Sequence, residues 1–361
     1  MRILHFVSDI GISNGVMSFI INYGRVMQPT TKFDIAYFND TEKNHKEYIE
    51  SLGCKTYKVP KPSFKKSFFR ALKDVFEAHK NEYEAVHIHL PYLTALIYPI
   101  AKKNRVKKII AHCHTNVFSL NPRNNLRNRI MNIPTKYIAT MCLAPSKSAG
   151  KLWFGKKYRI LYNAIDCSTY KYDEEKRNRI RKELGIEESF VIAHIGQTTI
   201  RQKNHLFLMR AFKTILETKP DSKLILIGGK KTQELDDFTE KIGVTENIIY
   251  LGIQKNVSDF LMAADAFVFP STSEGLAIAV IEAQTTGLPC VVSDRIPDEV
   301  CITSNVKKLS LNCTPEEWAR TLFEMKEIDR LQMYETVKKK GWDIESKAEE
   351  LEYIYEGGNF V

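Results

Sequence analysis

The chain has 361 residues with 43% hydrophobic residues, enough for two cores of ordinary size, and no stretch is long and apolar enough to read as a bilayer span. Its seven cysteines are an odd number without a C-x-x-C pair, which argues for reduced thiols in a cytosolic setting and against a disulfide scaffold or a zinc ribbon. The net charge of +10 is lopsided: residues 1–170 hold 27 Lys and Arg against 11 Asp and Glu, and the remainder holds 26 against 32, so the basic first half implies an anionic partner. Nucleic acid has no motif to support it.

The start, MRILHFVSDIG, reads as a strand followed by a glycine-containing loop, without a secretion signal. Further strands are expected at 33–38, 55–59, 85–88, 108–111, 137–144 and 159–162, with amphipathic helices between several of them, such as 16–27. A polar, charged run from 167 to 189 reads as linker and first helix. A second alternation follows, with strands at 190–195, 224–227, 248–251, 266–269 and 290–293. Strand and helix in alternation mean α/β domains with parallel sheets, here two of them. The boundaries are expected at 1–168 and 169–342, with a last helix in 343–361.

Between Glu84 and Asp166 there are 14 basic residues and no acid. In the same half, His112 and His114 flank Cys113 at the end of an apolar strand, so both imidazoles share one face. A zinc site would need further ligands, and their spacing does not supply any, so no metal is expected. The run SFKKSFFRALKDVF, 63–76, places aromatic and basic residues at helical spacing. Its commoner explanation is a buried amphipathic helix; the alternative is a helix in a membrane interface. Asn121 to Arg129 adds a second basic cluster.

The acidic stretch ADAFVFPSTSEGLAIAVIEAQTTGLPCVVSD, 264–294, reads as strand, loop, helix and strand. Glu274 lies at the carboxyl end of the strand, where open α/β sheets place ligands. Glu282 follows eight residues later, on one surface with Glu274 if one helix spans both. The expected helix runs from Leu276 to Gly287.

This spacing, E-x7-E with S-x-S-E-G-L, E-A-Q and G-L-P, resembles the donor motif of retaining GT-B glycosyltransferases of the GT4, or group 1, family that builds bacterial capsular and exopolysaccharides. The resemblance extends over nearly the whole chain. It takes in N-G-V-M-S-F-I-I-N-Y, HCHTN, L-A-P-S-x-S-A-x-x-L-W-F-G, Y-N-A-I-D, Q-K-N-H, L-I-L-I-G-G, Y-L-G and K-G-W-D-I. It implies two Rossmann-like domains facing a central cleft, with the last helix returning to the N-terminal domain. It also implies a hexose or N-acetylhexosamine moved with retention from a UDP-linked sugar to a growing, lipid-linked surface polysaccharide. No metal or cofactor is implied beyond the nucleotide sugar as co-substrate, and the place of work is the cytoplasm, peripheral on the inner face of the membrane.

By that resemblance Glu274 orients the donor sugar, Glu282 holds the ribose and Lys203 meets the diphosphate. One of His112 and His114, with His114 favoured, shapes the sugar pocket. Gly15 approaches the donor phosphate and sugar, Gly229 lets backbone near the nucleotide, and Gln254 lies by the base. Gly275, Leu276 and Ala277 offer N–H groups to the phosphates. The sequence departs from the family pattern after Gly196, where relatives carry arginine and this chain carries Gln197. Glutamine brings no charge, and Arg201, four residues on, is the available substitute. Two other readings stay open: a nucleotide-sugar epimerase or hydrolase of the same fold, and a weakened homologue acting as a binding or assembly subunit.

Overall fold

The computed structural model describes residues 1–358 apart from residues 13, 120, 200, 275, 327 and 328. The chain divides into two compact units. One comprises Met1–Ala164 together with the segment from Ile344, and the other comprises Ile165–Asp343.

The first unit holds seven parallel strands: β1 Arg2–Phe6, β2 Lys32–Tyr37, β3 Thr56–Lys58, β4 Tyr83–Ile88, β5 Lys108–His112, β6 Met141–Ala144 and β7 Arg159–Ile160. Their order in the sheet is β3-β2-β1-β4-β5-β6-β7. The central strands are buried on both faces, which is why β4 and β5 read as near-continuous apolar runs. The helix Gly15–Val26 buries Met17, Phe19, Ile20 and Tyr23 on one face of the sheet, and the C-terminal helix Ile344–Glu356 adds Leu351, Ile354 and Tyr355 to the same core. The opposite face is covered by Phe68, Leu72, Val75 and Phe76 of helix Lys66–Ala78. The segment 63–76 is therefore core packing over most of its length, and the membrane alternative does not hold for it; Phe64 alone stands out, 81% exposed.

Among its described residues the second unit has six parallel strands: β8 Val191–Ile195, β9 Lys223–Ile227, β10 Ile248–Gly252, β11 Ala266–Phe269, β12 Cys290–Ser293 and β13 Val306–Leu309. They are ordered β10-β9-β8-β11-β12-β13. Its core joins Leu208, Met209 and Phe212 of helix His205–Thr218 to Leu224, Leu226, Val268, Val291 and Trp318. β13, VKKL, is an edge strand carrying two lysines, a charge pattern that hides it from a search for apolar runs. The expected strand at 137–144 splits: Thr135–Ile138 is a helical turn opened by Pro134, and only Met141–Ala144 joins the sheet.

Both sheets have a topological switch point, between β1 and β4 and between β8 and β11. The crevice beyond the carboxyl ends of such strands is where this architecture binds ligands.

Candidate functional site

Beyond β8 the chain turns at Gly196 through Gln197 and Thr198 into a single 3-10 turn, Arg201–Lys203. Asn204, in the left-handed conformation at φ 56°, starts helix His205–Thr218. Beyond β11 the loop from Pro270 lies against this turn: Thr272 N donates to Gln202 O at 2.8 Å, Ser271 Oγ lies 3.0 Å from the same oxygen, and Asn204 Nδ2 donates to Pro270 O at 3.2 Å. The two loops at the switch point are thus stitched into one surface.

On that surface Lys203 Nζ donates to Glu274 Oε1 at 2.7 Å, and the buried Ser271 Oγ donates to the same oxygen at 2.6 Å. The lysine also lies 4.9 Å from the centre of the Phe269 ring, so its stem is packed and its charge is directed at the carboxylate. The side chains keep only 17% and 10% of their exposure, which strengthens the attraction relative to a surface pair.

Glu282 is separate from this cluster. The helix carrying it runs Ile278–Thr285, a little shorter than expected, and starts after Ala277, so Glu274 lies in the loop and the condition of one helix spanning both acids is not met. Glu282 Oε1 accepts a hydrogen bond from Tyr170 Oη at 2.7 Å. Burial pushes the carboxyl above its ordinary range, and the tyrosine bond pulls part of the way back. Burial and then the carboxylate's charge raise the Tyr170 phenol in turn. Tyr170 ends a short turn, Cys167–Tyr170, and no motif pointed to it.

The other expected donor residues fall around the same strand ends. Gln197 and Arg201 are exposed. Gly229 has a structural reason to be glycine: a Cβ there would come within 2.5 Å of Thr198 N, so the residue allows the loops after β8 and β9 to touch. Gln254 is half-buried after β10 and donates to Leu251 O at 2.5 Å. Leu276 is half-buried, Ala277 is buried, and Gly275 lies outside the described residues. In G-L-P, Gly287 has φ 80° and a Cβ there would meet Arg330 Cα at 2.4 Å, so that part of the motif is packing.

In the first unit, Gly15 is exposed at the start of helix Gly15–Val26, and a Cβ there would meet nothing within 4 Å. Asn14 caps that helix, accepting from Val16 N at 2.9 Å. His112 is fully buried and His114 half-buried. They are not a lone pair. His5 on β1, and His87 and His89 at the end of β4, stand beside them, because β1, β4 and β5 are neighbours and residues two apart share a face. His89 links His5 (Nε2 to Nδ1, 2.8 Å) and His114 (Nδ1 to Nε2, 2.8 Å). His87 links His112 (Nε2 to Nδ1, 3.1 Å) and Tyr355 (Nδ1 to Oη, 2.6 Å). Burial pushes His5 and His114 down to about 3 and the other three well below their ordinary range, so all five imidazoles are neutral at pH 7. Spacing within one segment showed no further imidazole near this pair; the sheet brings three. A second H-x-H, His87 to His89, at the end of another strand was the signal that spacing within one segment missed.

Two family models match the chain: "Glycosyl transferases group 1" over residues 176–341 and "Glycosyltransferase Family 4" over residues 33–169, together taking in most of it. EpsF of Bacillus subtilis (strain 168), which carries a glycosyltransferase name, is 25% identical over 98% of this chain and 96% of its own length. "Capsular polysaccharide biosynthesis glycosyltransferase CapH" of Staphylococcus aureus is 26% identical over 85% of each chain. "UDP-Gal:alpha-D-GlcNAc-diphosphoundecaprenol alpha-1,3-galactosyltransferase" of Escherichia coli is 32% identical over 41% of this chain and 39% of its own. Among solved structures, Anabaena Alr3699/HepE in complex with UDP matches with a TM-score of 0.82 over 99% of this chain and 100% of that one, at 16% identity. No helix among the described residues is long and apolar enough to cross a membrane. The chain belongs to the group 1, GT4-type glycosyltransferases, with the two Rossmann-like α/β domains of the GT-B fold.

Proposed function

We propose that this glycosyltransferase moves a hexose or N-acetylhexosamine from a UDP-linked donor to a lipid-linked saccharide of a surface polysaccharide, with retention and without a metal at the diphosphate. The observation that carries the donor half is the Lys203–Glu274–Ser271 cluster at the switch point of the C-terminal sheet. Support for UDP comes from the UDP in HepE and the UDP-Gal named for the Escherichia coli relative. Support for the acceptor comes from the diphosphoundecaprenol in that name, from CapH, and from the basic N-terminal half.

In this reading Lys203 exchanges Glu274 for the donor diphosphate when substrate enters, and Glu274 turns to the sugar hydroxyls. Glu282 accepts hydrogen bonds from the ribose, whose vicinal hydroxyls suit a two-oxygen acceptor. N–H groups around Leu276 and Ala277, ahead of helix Ile278–Thr285, face the phosphates. Gly229 and Gln254 border the nucleotide. The bond from the anomeric carbon to the diphosphate oxygen breaks, with its electron pair leaving on the phosphate. The acceptor oxygen bonds to the same face of the sugar, and its proton passes to the departing phosphate. The protein's contribution is positioning and stabilisation of the developing negative charge.

The acceptor is assigned to a groove of about 520 Å³ in the N-terminal domain, lined among others by Lys61, Phe64, Tyr92, Asn124 and Arg127. Beside it, helix Pro122–Asn132 is amphipathic in reverse. It buries Asn128 and Asn132, which donate to Phe118 O and Trp153 O, and exposes Leu126 and Ile130. Ile133 and Tyr137 continue the exposed apolar surface among Arg123, Arg129 and Lys136. Apolar groups ringed by cations suit an anionic lipid surface, so the membrane contact is assigned here.

The test is a product assay of the purified chain with UDP-sugars, with and without a polyprenyl-diphosphate saccharide and without added Mg²⁺ or Mn²⁺. Acceptor-dependent release of UDP with an α-linked product is expected. Turnover of donor alone to an epimer, or UDP binding without any transfer to any acceptor, would replace the proposal by one of the two other readings.

A further inference from the structure

We infer that His89, His112 and His114 of the N-terminal domain form a binding site for one divalent transition-metal ion of the zinc class. Each offers a ring nitrogen, and these nitrogens lie within 4.8 Å of one another. The ring centres of His112 and His114 are 4.1 Å apart, and those of His89 and His114 5.0 Å.

The hydrogen-bond balance of the cluster is the first argument. A neutral imidazole has one N–H and one lone pair. The chain His5–His89–His114 has two hydrogen bonds among three rings, so one end must present an unused N–H and the other an unused lone pair, whichever way the protons run. Those ends are His5 Nε2 and His114 Nδ1, both buried without a partner among the described residues, and His112 Nε2 is a third such atom. Leaving a buried polar nitrogen unmatched costs about 1–3 kcal/mol. A cation that accepts the lone pair of His112 Nε2 supplies that missing partner, while His89 Nδ1 and His114 Nε2 exchange their mutual hydrogen bond for bonds to the ion.

The groups behind two of the three rings are the second argument. Imidazole ligands are held by a hydrogen bond at the nitrogen turned away from the metal. His112 is held through Nδ1 by His87, itself anchored on Tyr355, which leaves Nε2 for an ion. His89 is held through Nε2 by His5, which leaves Nδ1. Phe19 from helix Gly15–Val26 packs edge-on to His112 at 5.1 Å and to His114 at 5.6 Å, supplying an apolar wall.

Zinc–nitrogen bonds of about 2.1 Å in a tetrahedron separate ligand nitrogens by roughly 3.4 Å. His89 Nδ1 and His114 Nε2, now 2.8 Å apart, must part by roughly 0.6 Å, and pairs lying up to 4.8 Å apart must close by up to roughly 1.4 Å. His114 is half-buried, which gives an ion a way in, and three nitrogens leave a fourth position for water or an anion.

The experiment uses the whole chain, stripped with a chelator and then titrated with Zn²⁺ and, separately, with Co²⁺, whose visible bands report a tetrahedral nitrogen-rich site. Metal content, not turnover, is the readout, so the result stands apart from any part His114 has in the sugar pocket. One equivalent of each metal and a raised melting temperature are expected, with retention of that equivalent in His45→Ala and at least a tenfold loss of affinity in His114→Ala. Absence of stoichiometric Zn²⁺ in the wild-type chain, or unchanged affinity in His114→Ala, overturns the assignment. Should His114→Ala melt below the metal-free wild type, His114→Gln serves in its place, with the same loss expected.

Discussion

Lys203 and Glu274, 71 residues apart in the chain, share a 2.7 Å hydrogen bond. The cation assigned to the diphosphate is therefore occupied by the acid assigned to the sugar, and donor binding must divide them. Lys203→Ala should slow transfer by on the order of 10²-fold, since it removes a positioned charge from the leaving group. Glu274→Gln should bind UDP at least as tightly as the wild type, because it frees the lysine, while transferring sugar slowly. Calorimetry with UDP beside a transfer assay checks both; weaker UDP binding in Glu274→Gln would contradict the exchange.

Glu282 supplies a pH signature. Its carboxyl titrates above the ordinary range, and under the proposed ribose contact the ionised form is the one that accepts from both hydroxyls. UDP affinity should fall as pH drops through that raised value. Glu282→Gln should flatten the dependence that remains after correcting for the phosphate's own titration, and should weaken binding at neutral pH by about 1–3 kcal/mol. Tyr170→Phe should shift the profile further upward, because its hydrogen bond favours the charged form.

At Gln197, an exposed position beside the same site, a cation can be added without disturbing packing. Gln197→Arg should accelerate transfer, up to the roughly 3 kcal/mol that such a charge contributes at a leaving group. Arg201→Ala should slow it. Steady-state rates of the two variants decide whether Arg201 is the substitute.

The C-terminal domain should lose stability in acid. Burial, and then the charge of Lys203, lower His205 from its ordinary 6.5 to about 4, and burial lowers His194 further. A folded-state value below the unfolded one gives a contribution that is complete above pH 6.5 and declines as pH falls toward about 4. The slope is about 1.4 kcal/mol per pH unit for each histidine. Urea midpoints at pH about 7 and about 5 measure it, and His205→Asn should reduce the slope.

Ile130→Ser with Leu126→Ser should abolish flotation with anionic vesicles while leaving the melting temperature within about 1–2 °C, since neither side chain is buried. Substituting Phe68, by contrast, should unfold the domain.

The alternation of strand and helix was legible because both sheets are parallel and buried, so each central strand is an apolar run of its own. The edge strand Val306–Leu309 was not, since its lysines mimic loop composition. Glu274, Glu282 and Lys203 could be singled out by motif, but Glu282's partner Tyr170 is 112 residues away in an unremarkable turn. The histidines illustrate the same limit. Two H-x-H pairs are visible in the text of the chain, whereas their meeting depends on β4 and β5 being sheet neighbours, and His5 joins only because β1 lies beside β4. The exposed apolar residues of Pro122–Asn132 were masked by the arginines between them.

The helix Ile344–Glu356 completes a core whose other members all precede residue 165. During synthesis the amino-terminal half must therefore wait, with Tyr23, Phe33 and Ile354's neighbours unsealed, until the whole second unit has left the ribosome. A chain cut at Asp343 would keep its second domain and forfeit its first. The last helix is thus a clasp that makes the two halves of the enzyme mature together.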